Sequence, residues 1–356
     1  MRRVEGGAVS GGELAPRSES LVEAEVVPAY GAADFELPDE TIRRVLRGRS
    51  GETVRAYTRD WEAFERWCAT ARDRAGRPAP RVALPTTWAT LAAYVTHLVV
   101  ADYAPSTIRR AMYAVCARHR ADGVPIPDTT TARKVIDDHQ RERADRGLAK
   151  RKAPPLRVDA LRAAVATCDT TALSGLRDRV ILVLGFALMG RRSEIVALDL
   201  DDVSVEERGL LVRILRSKTD RRAEGVVVAI PHGRHPDIDP VRAVSAWCTA
   251  LAERGVTTGR LIRSIGKGSS QSIGSSLSDH HANRIVRKRA VLADVPSAYL
   301  VTAHSLRSGG ATAAADGGAS VHDIAVHGRW SPNSPVVHEY VRRARQFHEN
   351  VLDGVL

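Results

Sequence analysis

The sequence has few cysteines, and they show no pairing pattern. Its four cysteines, Cys68, Cys116, Cys168 and Cys248, are far apart, and no two have the CxxC spacing. Disulfide frameworks and zinc sites depend on paired or closely spaced cysteines. We therefore expect buried thiols in a reducing compartment and no metal site.

Long apolar runs are also missing. No apolar run approaches the roughly 20 residues of a membrane span, and no hydrophobic stretch follows Arg2 and Arg3, so neither a membrane partner nor a secretory signal is predicted. Hydrophobic residues make up 44% of the 356 residues and charged residues 27%, as in globular proteins with room for two domains. These properties predict a cytoplasmic protein.

Lysine is scarce, although the protein is basic. Arginine supplies most of the 53 basic side chains, and the net charge is +11. Residues 1–40 hold nine acids and three arginines, a balance of −6, so the remaining 316 residues carry +17. Such a charge favours a polyanion, usually nucleic acid. On charge alone, a basic protein without that partner is equally compatible.

Hydrophobic periodicity predicts a helical first half. Residues 1–38 have no periodicity and indicate a disordered acidic tail. A short helix is predicted over 39–46, and apolar steps of three and four residues then predict longer helices. The longer helices are expected from residue 50 through Trp67, over 86–100, from residue 105, and over 130–146. Four helices with short connections form a small bundle.

A change of pattern separates this bundle from the second half. Residues 147–155 contain a glycine, two prolines and three consecutive basic residues, which is typical of an extended linker. The β-branched runs 210–215 and 226–230, joined by a polar turn, predict a hairpin. The stretch 266–278 is rich in Gly and Ser and predicts a mobile loop. Helices are expected over 157–167, 174–188, 239–254 and 279–292, and after residues 304 and 320.

Five features of the second half could carry chemistry. Each has a more ordinary explanation when taken alone: a surface salt bridge, a solvated lysine, a helix-terminal histidine, a core tryptophan or a packed tyrosine. His304 and Arg307 are three residues apart, which on a helix places imidazole and guanidinium side by side, where both could hold one phosphate. The features, in order, are Arg191-Arg192-Ser193-Glu194, Lys218 in the hairpin turn, His304-x-x-Arg307, Gly328-Arg329-Trp330 and Tyr340.

In this order, the features resemble the catalytic signature of the tyrosine recombinase (phage integrase) family. The most specific segment is 303–312, Ala-His-Ser-Leu-Arg-Ser-Gly-Gly-Ala-Thr, and the resemblance covers roughly residues 45–350. It implies a mainly α fold with a small β-sheet (α+β). An N-terminal helical bundle would bind the core DNA site, and a mixed α/β catalytic domain would follow it. Together the two domains would form a C-shaped clamp on double-stranded DNA.

The resemblance also implies a role for each residue. Arg191 and Arg307 would hold the scissile phosphate, helped by His304 and Trp330. Glu194 would orient that group of residues. Lys218 would protonate the leaving 5′ oxygen, and Tyr340 would attack to form a 3′-phosphotyrosyl link. Two guanidiniums and neutral donors can stabilise this transition state without a metal or other cofactor.

Two details depart from the family pattern. The step from Trp330 to Tyr340 is ten residues, where nine is common in the family. Arg191 and Arg192 are adjacent, and we select Arg191 because the pattern is Arg-x-Ser-Glu. Two alternatives stay open: a type IB topoisomerase that relaxes DNA, and a DNA-binding protein without catalytic activity.

The resemblance further implies how the protein binds DNA and assembles. We expect a dimer on one DNA site and a homotetramer on paired sites, with accessory DNA-bending proteins as further partners. The expected divisions are an acidic tail (1–38), a core-binding domain (39–146), a linker (147–155), a catalytic domain (156–345) and a C-terminal tail for protomer contacts (346–356). The predicted phosphate-contacting residues are Arg109, Arg110, Arg118, Lys150, Arg151 and Lys152.

Overall fold

The computed structural model describes residues 51–73, 75–149, 151–215, 225–266, 268, 271–331, 334–345 and 352. The chain divides into two compact units, with the boundary between residues 149 and 150. The predicted acidic tail, the helix over 39–46 and all of the C-terminal tail except Leu352 lie outside the described residues.

The described part of the first unit contains four helices, as the periodicity predicts. A proline in the first turn begins α3, where its missing N–H costs nothing. Thr87 caps α2 by accepting a hydrogen bond from the backbone N–H of Thr90. The helices are α1 (Gly51–Ala69), α2 (Trp88–Val100), α3 (Pro105–Ala121) and α4 (Thr130–Asp145).

The core of this unit lies where the apolar faces of the four helices meet. Phe64, Leu91, Ile108, Met112 and Ile136 are fully buried. The side chain of His119 is also fully buried. Its Nε2 accepts a hydrogen bond from the Thr86 backbone N–H at 2.8 Å, and its Nδ1 lies 2.8 Å from the Val115 carbonyl oxygen. Both ring nitrogens therefore have partners, as a buried histidine requires.

The second unit contains eight α-helices, three short 3-10 helices and one sheet among its described residues. Its first three helices are α5 (Val158–Ala166), α6 (Leu173–Ala187) and α7 (Arg192–Ala197). The strands β1 (Val203–Glu206), β2 (Gly209–Ile214) and β3 (Val226–Pro231) follow. The remaining helices are α8 (Pro240–Ala252), α9 (Asp279–Leu292), α10 (Ala303–Asp316), α11 (Val321–Gly328) and α12 (Pro335–Arg345).

Helix α6 is the centre of the second unit. Its residues 180–184 are all at most 1% exposed, so the helix is apolar around its whole circumference, as expected of a central helix. A buried ion network ties it to α9. Asp178 accepts hydrogen bonds from Arg177 of α6 and from Arg289 of α9, with shortest distances of 2.6 Å to each guanidinium.

The sheet is antiparallel, in the order β1–β2–β3. Strands β2 and β3 form the predicted hairpin, with Val212 opposite Val228. The predicted pair was incomplete, because β1 adds a third strand in which Val203 lies opposite Val212. Strand β1, Val-Ser-Val-Glu, alternates apolar and polar residues, but its four residues are at the lower limit of length for recognising a strand from sequence, and none of them is buried.

Helices α10, α11 and α12 pack around a smaller apolar cluster of their own. Its members include Ala311, Ile324, Val337 and Val341, and Tyr340 is buried among them. Tyr340, for which the sequence predicted no helix, lies on α12 with packed neighbours. No helix in the part of the chain that the structure describes is long and apolar enough to cross a membrane.

Candidate active site

Five residues singled out from the sequence come together in the second unit. Arg191 caps the N-terminus of α7, and His304 and Arg307 lie in the first turns of α10. Trp330 follows the end of α11, and Tyr340 lies on α12. Because these positions span about 150 residues of sequence, the packing of α6, α10, α11 and α12 creates the site.

A close approach between helices positions Arg307. A Cβ atom at Gly310 would lie 2.3 Å from the Phe186 carbonyl oxygen, so only glycine lets α10 pack this closely against α6. Arg307 is consequently 2% exposed, and its Nη1 donates to the carbonyl oxygen of Met189 at the end of α6. Its Nη2 is buried without a hydrogen-bond partner.

The indole of Trp330 covers the Arg307 guanidinium. Cζ of Arg307 lies 3.7 Å from the centre of the Trp330 ring, a cation–π contact. Burial, followed by the positive charge of Arg191, lowers the pKa of Arg307 to about 9. The surroundings thus favour an added anion, and the Nη2 group offers it a donor.

Tyr340 and His304 lie in direct contact. The Tyr340 Oη and His304 Nε2 atoms are 3.0 Å apart, and the Trp330 ring lies edge-on to the tyrosine at a centroid distance of 5.7 Å. Loss of hydration, followed by the charges of Arg307 and Arg191, lowers the pKa of His304 below its usual range. A neutral imidazole with its proton on Nδ1 accepts the hydroxyl hydrogen bond, the geometry required of a general base.

Glu194 joins two guanidiniums. Its Oε1 is 2.5 Å from Nη1 of Arg191, and its Oε2 accepts from Nη2 of Arg329 at 2.9 Å. Burial alone would raise the pKa of Glu194, but the Arg329 charge and the hydrogen bonds from Arg191 lower it below its usual value. Glu194 is therefore an ionised carboxylate that supports Arg191.

The structure separates the two adjacent arginines. Arg191 shares Glu194 and is also within 3.4 Å of the Arg329 carbonyl oxygen, whereas Nε of Arg192 pairs with Asp279 of α9 at 2.9 Å. Sequence reasoning included Arg329 in the Gly-Arg-Trp motif but gave it no role. Its burial was not predictable, because arginine is rarely buried unless it is paired.

A cavity of about 430 Å³ opens beside Tyr340 and His304. Ser308 and Thr312 of α10 also line it. Both lie in the segment 303–312 that carries the family resemblance, but neither was assigned a role from the sequence. Lys152 and Glu339 lie on the same cavity, with Nζ 2.6 Å from Oε1. Lys218, the predicted general acid, lies outside the described residues.

The predicted DNA-contacting side chains of the first unit already form ion pairs. Arg109 pairs with Asp137 at 3.1 Å, and Arg110 with Asp60 at 2.7 Å. Arg118 pairs with Asp122 at 2.5 Å and stacks over Trp61. In the second unit, Arg151 donates to the Tyr299 hydroxyl at 2.9 Å. Lys150 is outside the described residues. The arginines of these pairs are exposed, although Asp60 is only 14% exposed, and an exposed ion pair costs little to exchange for a phosphate.

The described residues contain no group of His, Cys, Asp or Glu side chains that could hold a metal ion. The polar groups around Tyr340 include two guanidiniums, an imidazole and two hydroxyls, beside the carboxylates of Glu194 and Glu339. The donors in this set can bind a phosphate and stabilise charge that develops on its oxygens.

Comparison with known proteins gives consistent results. No protein-family model matches the chain. It is 30% identical over 321 residues to the integrase/recombinase XerD homolog of Selenomonas ruminantium, covering 87% of each chain. It is 27% identical over 319 residues to the tyrosine recombinase XerC of Mycobacterium sp. (strain KMS), covering 85% of this chain and 93% of that protein.

Among solved structures, lambda integrase bound to DNA resembles this chain with a TM-score of 0.52 and 15% identity. The match covers 88% of this chain and 96% of that one. At this identity the likeness shows the fold alone: mainly helical, with a small antiparallel sheet.

Proposed function

The chain belongs to the tyrosine recombinase family, and from this premise we propose that it is a site-specific DNA recombinase whose nucleophile is Tyr340. The Tyr340 Oη would attack the scissile phosphorus, forming a phosphotyrosyl bond at the 3′ end as the bond to the 5′ oxygen breaks. The leaving oxygen takes a proton and becomes a 5′-hydroxyl. The covalent link conserves the phosphodiester, so rejoining to a new strand needs no ATP.

The observation that carries this proposal is the buried, unpaired Nη2 of Arg307 next to the Tyr340–His304 pair. A buried donor without a partner is costly and calls for an explanation. A non-bridging phosphate oxygen would accept a hydrogen bond from this Nη2 group, and its negative charge would offset the buried positive charge of Arg307. Arg191 would hold the same phosphate, with Glu194 orienting it.

His304 would take the Tyr340 proton, in addition to the phosphate contact that the family resemblance implies. The 3.0 Å distance supports this assignment. The ten-residue step from Trp330 therefore still brings the nucleophile to its partner. Lys218 remains our proposal for the general acid that protonates the 5′ oxygen.

The relatives favour recombination over the two alternatives, DNA relaxation and DNA binding without catalysis, because their names are those of integrases and recombinases. The event itself would be integration, excision or resolution of a mobile element. The protein would act in the cytoplasm on nucleoid DNA, with the helical unit (39–146), the linker (147–155) and the catalytic unit (156–345) all contacting the duplex.

A suicide substrate tests the nucleophile. Duplexes nicked near candidate sites, taken from DNA flanking the encoding gene, trap the protein–DNA adduct, which is resolved on a denaturing gel. We expect an adduct with the native chain that maps to the Tyr340 peptide and is absent in Tyr340→Phe, while DNA binding persists. An adduct of equal yield from Tyr340→Phe would disprove the assignment of the nucleophile.

We also propose that the protein assembles as a dimer on one site and a tetramer on paired sites, aided by accessory DNA-bending proteins. Residues 346–356 would contact a neighbouring protomer through their apolar side chains, Phe347, Val351, Leu352, Val355 and Leu356. A largely apolar cavity of about 460 Å³, lined by Leu161, Phe186 and Ile324 among others, is a suitable acceptor. Deletion of residues 349–356 should abolish synapsis in native gels but spare single-site binding; unchanged recombination would contradict this role.

A further inference from the structure

Arg329 is a buried arginine next to the candidate site, and the proposed reaction gives it no role. Its side chain is 5% exposed. Unlike Arg307, whose Nη2 has no hydrogen-bond partner, it has protein acceptors for both of its Nη groups. Its Nη1 donates to the carbonyl oxygens of His327, at 2.9 Å, and Leu188, at 3.2 Å. Its Nη2 donates to Glu194 Oε2 at 2.9 Å.

Through Glu194, Arg329 is linked to Arg191. The two oxygens of Glu194 divide between the guanidiniums, with Oε1 facing Arg191 and Oε2 facing Arg329. Oε2 also accepts the backbone N–H of Arg191 at 2.9 Å, and the Arg329 carbonyl oxygen lies 3.4 Å from Nη2 of Arg191. Side chain and main chain of Arg191 are thus both held by groups connected to Arg329.

The charges explain why a second cation is needed. One carboxylate lies among three guanidiniums, those of Arg191, Arg307 and Arg329. If Arg329 were absent, the whole charge of Glu194 would be directed at Arg191, whose attraction to a phosphate would fall accordingly. With Arg329 present, Glu194 orients Arg191 without neutralising it, and Arg191 keeps N–H donors for an anion.

The backbone of Arg329 contributes separately. Its φ of 59° is left-handed, a conformation that non-glycine residues adopt infrequently. It ends α11, and the next residue, Trp330, has its ring over Arg307. Arg329 is therefore linked to both guanidiniums that would hold the phosphate. Glu194 connects it to Arg191, and Trp330, the next residue in the chain, covers Arg307.

We propose that Arg329 is a positioning residue for strand cleavage, which acts through Glu194 on Arg191 without contacting DNA. The inference rests on the proposed function. It predicts an effect on the rate of phosphotyrosyl formation and not on DNA affinity, because misplacing a group that holds the transition state by about 1 Å can slow a reaction on the order of 100-fold.

The test compares Arg329→Asn with the native chain on the suicide substrate. Asparagine tolerates the left-handed backbone, so the change removes the guanidinium and keeps the turn. We expect the single-turnover rate of adduct formation to fall by about 10- to 100-fold, with the DNA dissociation constant within about twofold. Arg192→Gln, which removes a neighbouring arginine that pairs with Asp279 of α9, is the matched control and should retain the native rate.

The same substitution in a Glu194→Gln chain distinguishes a positioning role of Arg329 from an effect on folding. If Arg329 acts through Glu194, then Arg329→Asn in a Glu194→Gln chain should change the adduct rate by less than about threefold relative to Glu194→Gln alone, since non-additivity is the mark of residues that act together. The double variant removes both buried charges, and Glu194→Gln keeps an amide oxygen that can accept from Arg329, so this comparison does not depend on the folding of Arg329→Asn alone.

The outcomes are distinguishable from those that test the nucleophile. Adduct from the native chain and none from Tyr340→Phe establish the proposed function independently of Arg329. With that established, a native adduct rate in folded Arg329→Asn overturns the positioning role. So does a loss confined to DNA affinity, or an equal loss in the two backgrounds.

Discussion

At the scale of single residues, the candidate site contains a buried cation, the guanidinium of Arg307, whose loss of hydration the surrounding contacts offset only in part. Arg307 is 2% exposed and has no carboxylate directly hydrogen-bonded to it among the described contacts. The Trp330 ring provides a contact worth about 0.5–2 kcal/mol, which is less than the cost of burying a charge. The site therefore keeps a preference for an anion, and a phosphate supplies that charge.

Gly328 gives a test of this arrangement. A Cβ atom at this position would lie 1.7 Å from Cζ3 of Trp330, so Gly328→Ala must displace the indole from Arg307. We expect the free energy of unfolding to fall by about 1–3 kcal/mol, as in other overpacked sites, and the adduct rate to fall about tenfold or more. Chemical denaturation and single-turnover adduct assays measure the two effects.

Gly317→Ala is the matched control for that substitution. A Cβ atom there would meet only carbonyl oxygens at 3.4 Å and beyond, at a φ of −79°. The control should keep native stability and adduct rate. If Gly328→Ala matched it in both measurements, the placement of the Trp330 ring would have no bearing on the site.

At the scale of elements, α12 combines the proposed nucleophile with an acidic residue. Glu339 precedes Tyr340 and pairs with Lys152 of the segment that follows the boundary between the units, at 2.6 Å. Lys152 is 63% exposed and Glu339 33%, so the pair itself adds little stability. Its consequence is electrostatic, because Glu339 presents a negative charge where DNA phosphates would approach and engages a lysine that could bind them.

Glu339→Gln should consequently tighten DNA binding. We expect the dissociation constant to fall by about two- to tenfold at low salt, with a salt dependence steeper by roughly one phosphate contact. Titrations by fluorescence anisotropy at several salt concentrations measure both. The control Glu253→Gln removes an exposed acid at the end of α8 and should leave affinity unchanged. Identical affinities for Glu339→Gln and the native chain at every salt concentration would rule out competition between Glu339 and DNA.

At the scale of the whole molecule, stability should depend on pH through the second unit. The pKa values of His281, His304 and His327 are all lowered, first by loss of hydration and also by neighbouring positive charges. For His327, a hydrogen bond to the Ala187 carbonyl oxygen opposes this lowering without reversing it. Below about pH 6.5, the usual histidine pKa, the unfolded chain binds more protons than the folded chain. Stability therefore rises with pH in this range.

We expect the denaturation midpoint to be lower at pH 5.5 than at pH 7.5, with a smaller difference in His304→Gln because one of the three contributions is removed. Urea titrations at the two pH values measure this. The control His322→Gln changes an exposed histidine of α11 and should keep the native difference. A His304→Gln chain with an undiminished pH difference would show that His304 does not contribute.

Much of this protein could be predicted from local pattern. The spacing of apolar residues predicted the bundle and most helices of the second unit, because a helix that packs on one face repeats its apolar residues every three to four positions. The hairpin β2–β3 was predictable from β-branched runs. The order of Arg191, His304, Arg307, Trp330 and Tyr340 resembles the catalytic signature of the family, and the relatives confirm that the chain belongs to it. The role of each residue stays a prediction.

Only the tertiary structure decided how distant residues pair. Glu194 contacts Arg329 across 135 positions, and His304 contacts Tyr340 across 36. The position of Arg191 in the site and the covering of Arg307 by Trp330 depend on where α6, α7, α10 and α11 meet. The pairing of Arg192 with Asp279 depends on the contact between α7 and α9. The physical reason is that sequence periodicity determines which face of an element is buried, whereas the partner of a buried charge depends on which elements meet there.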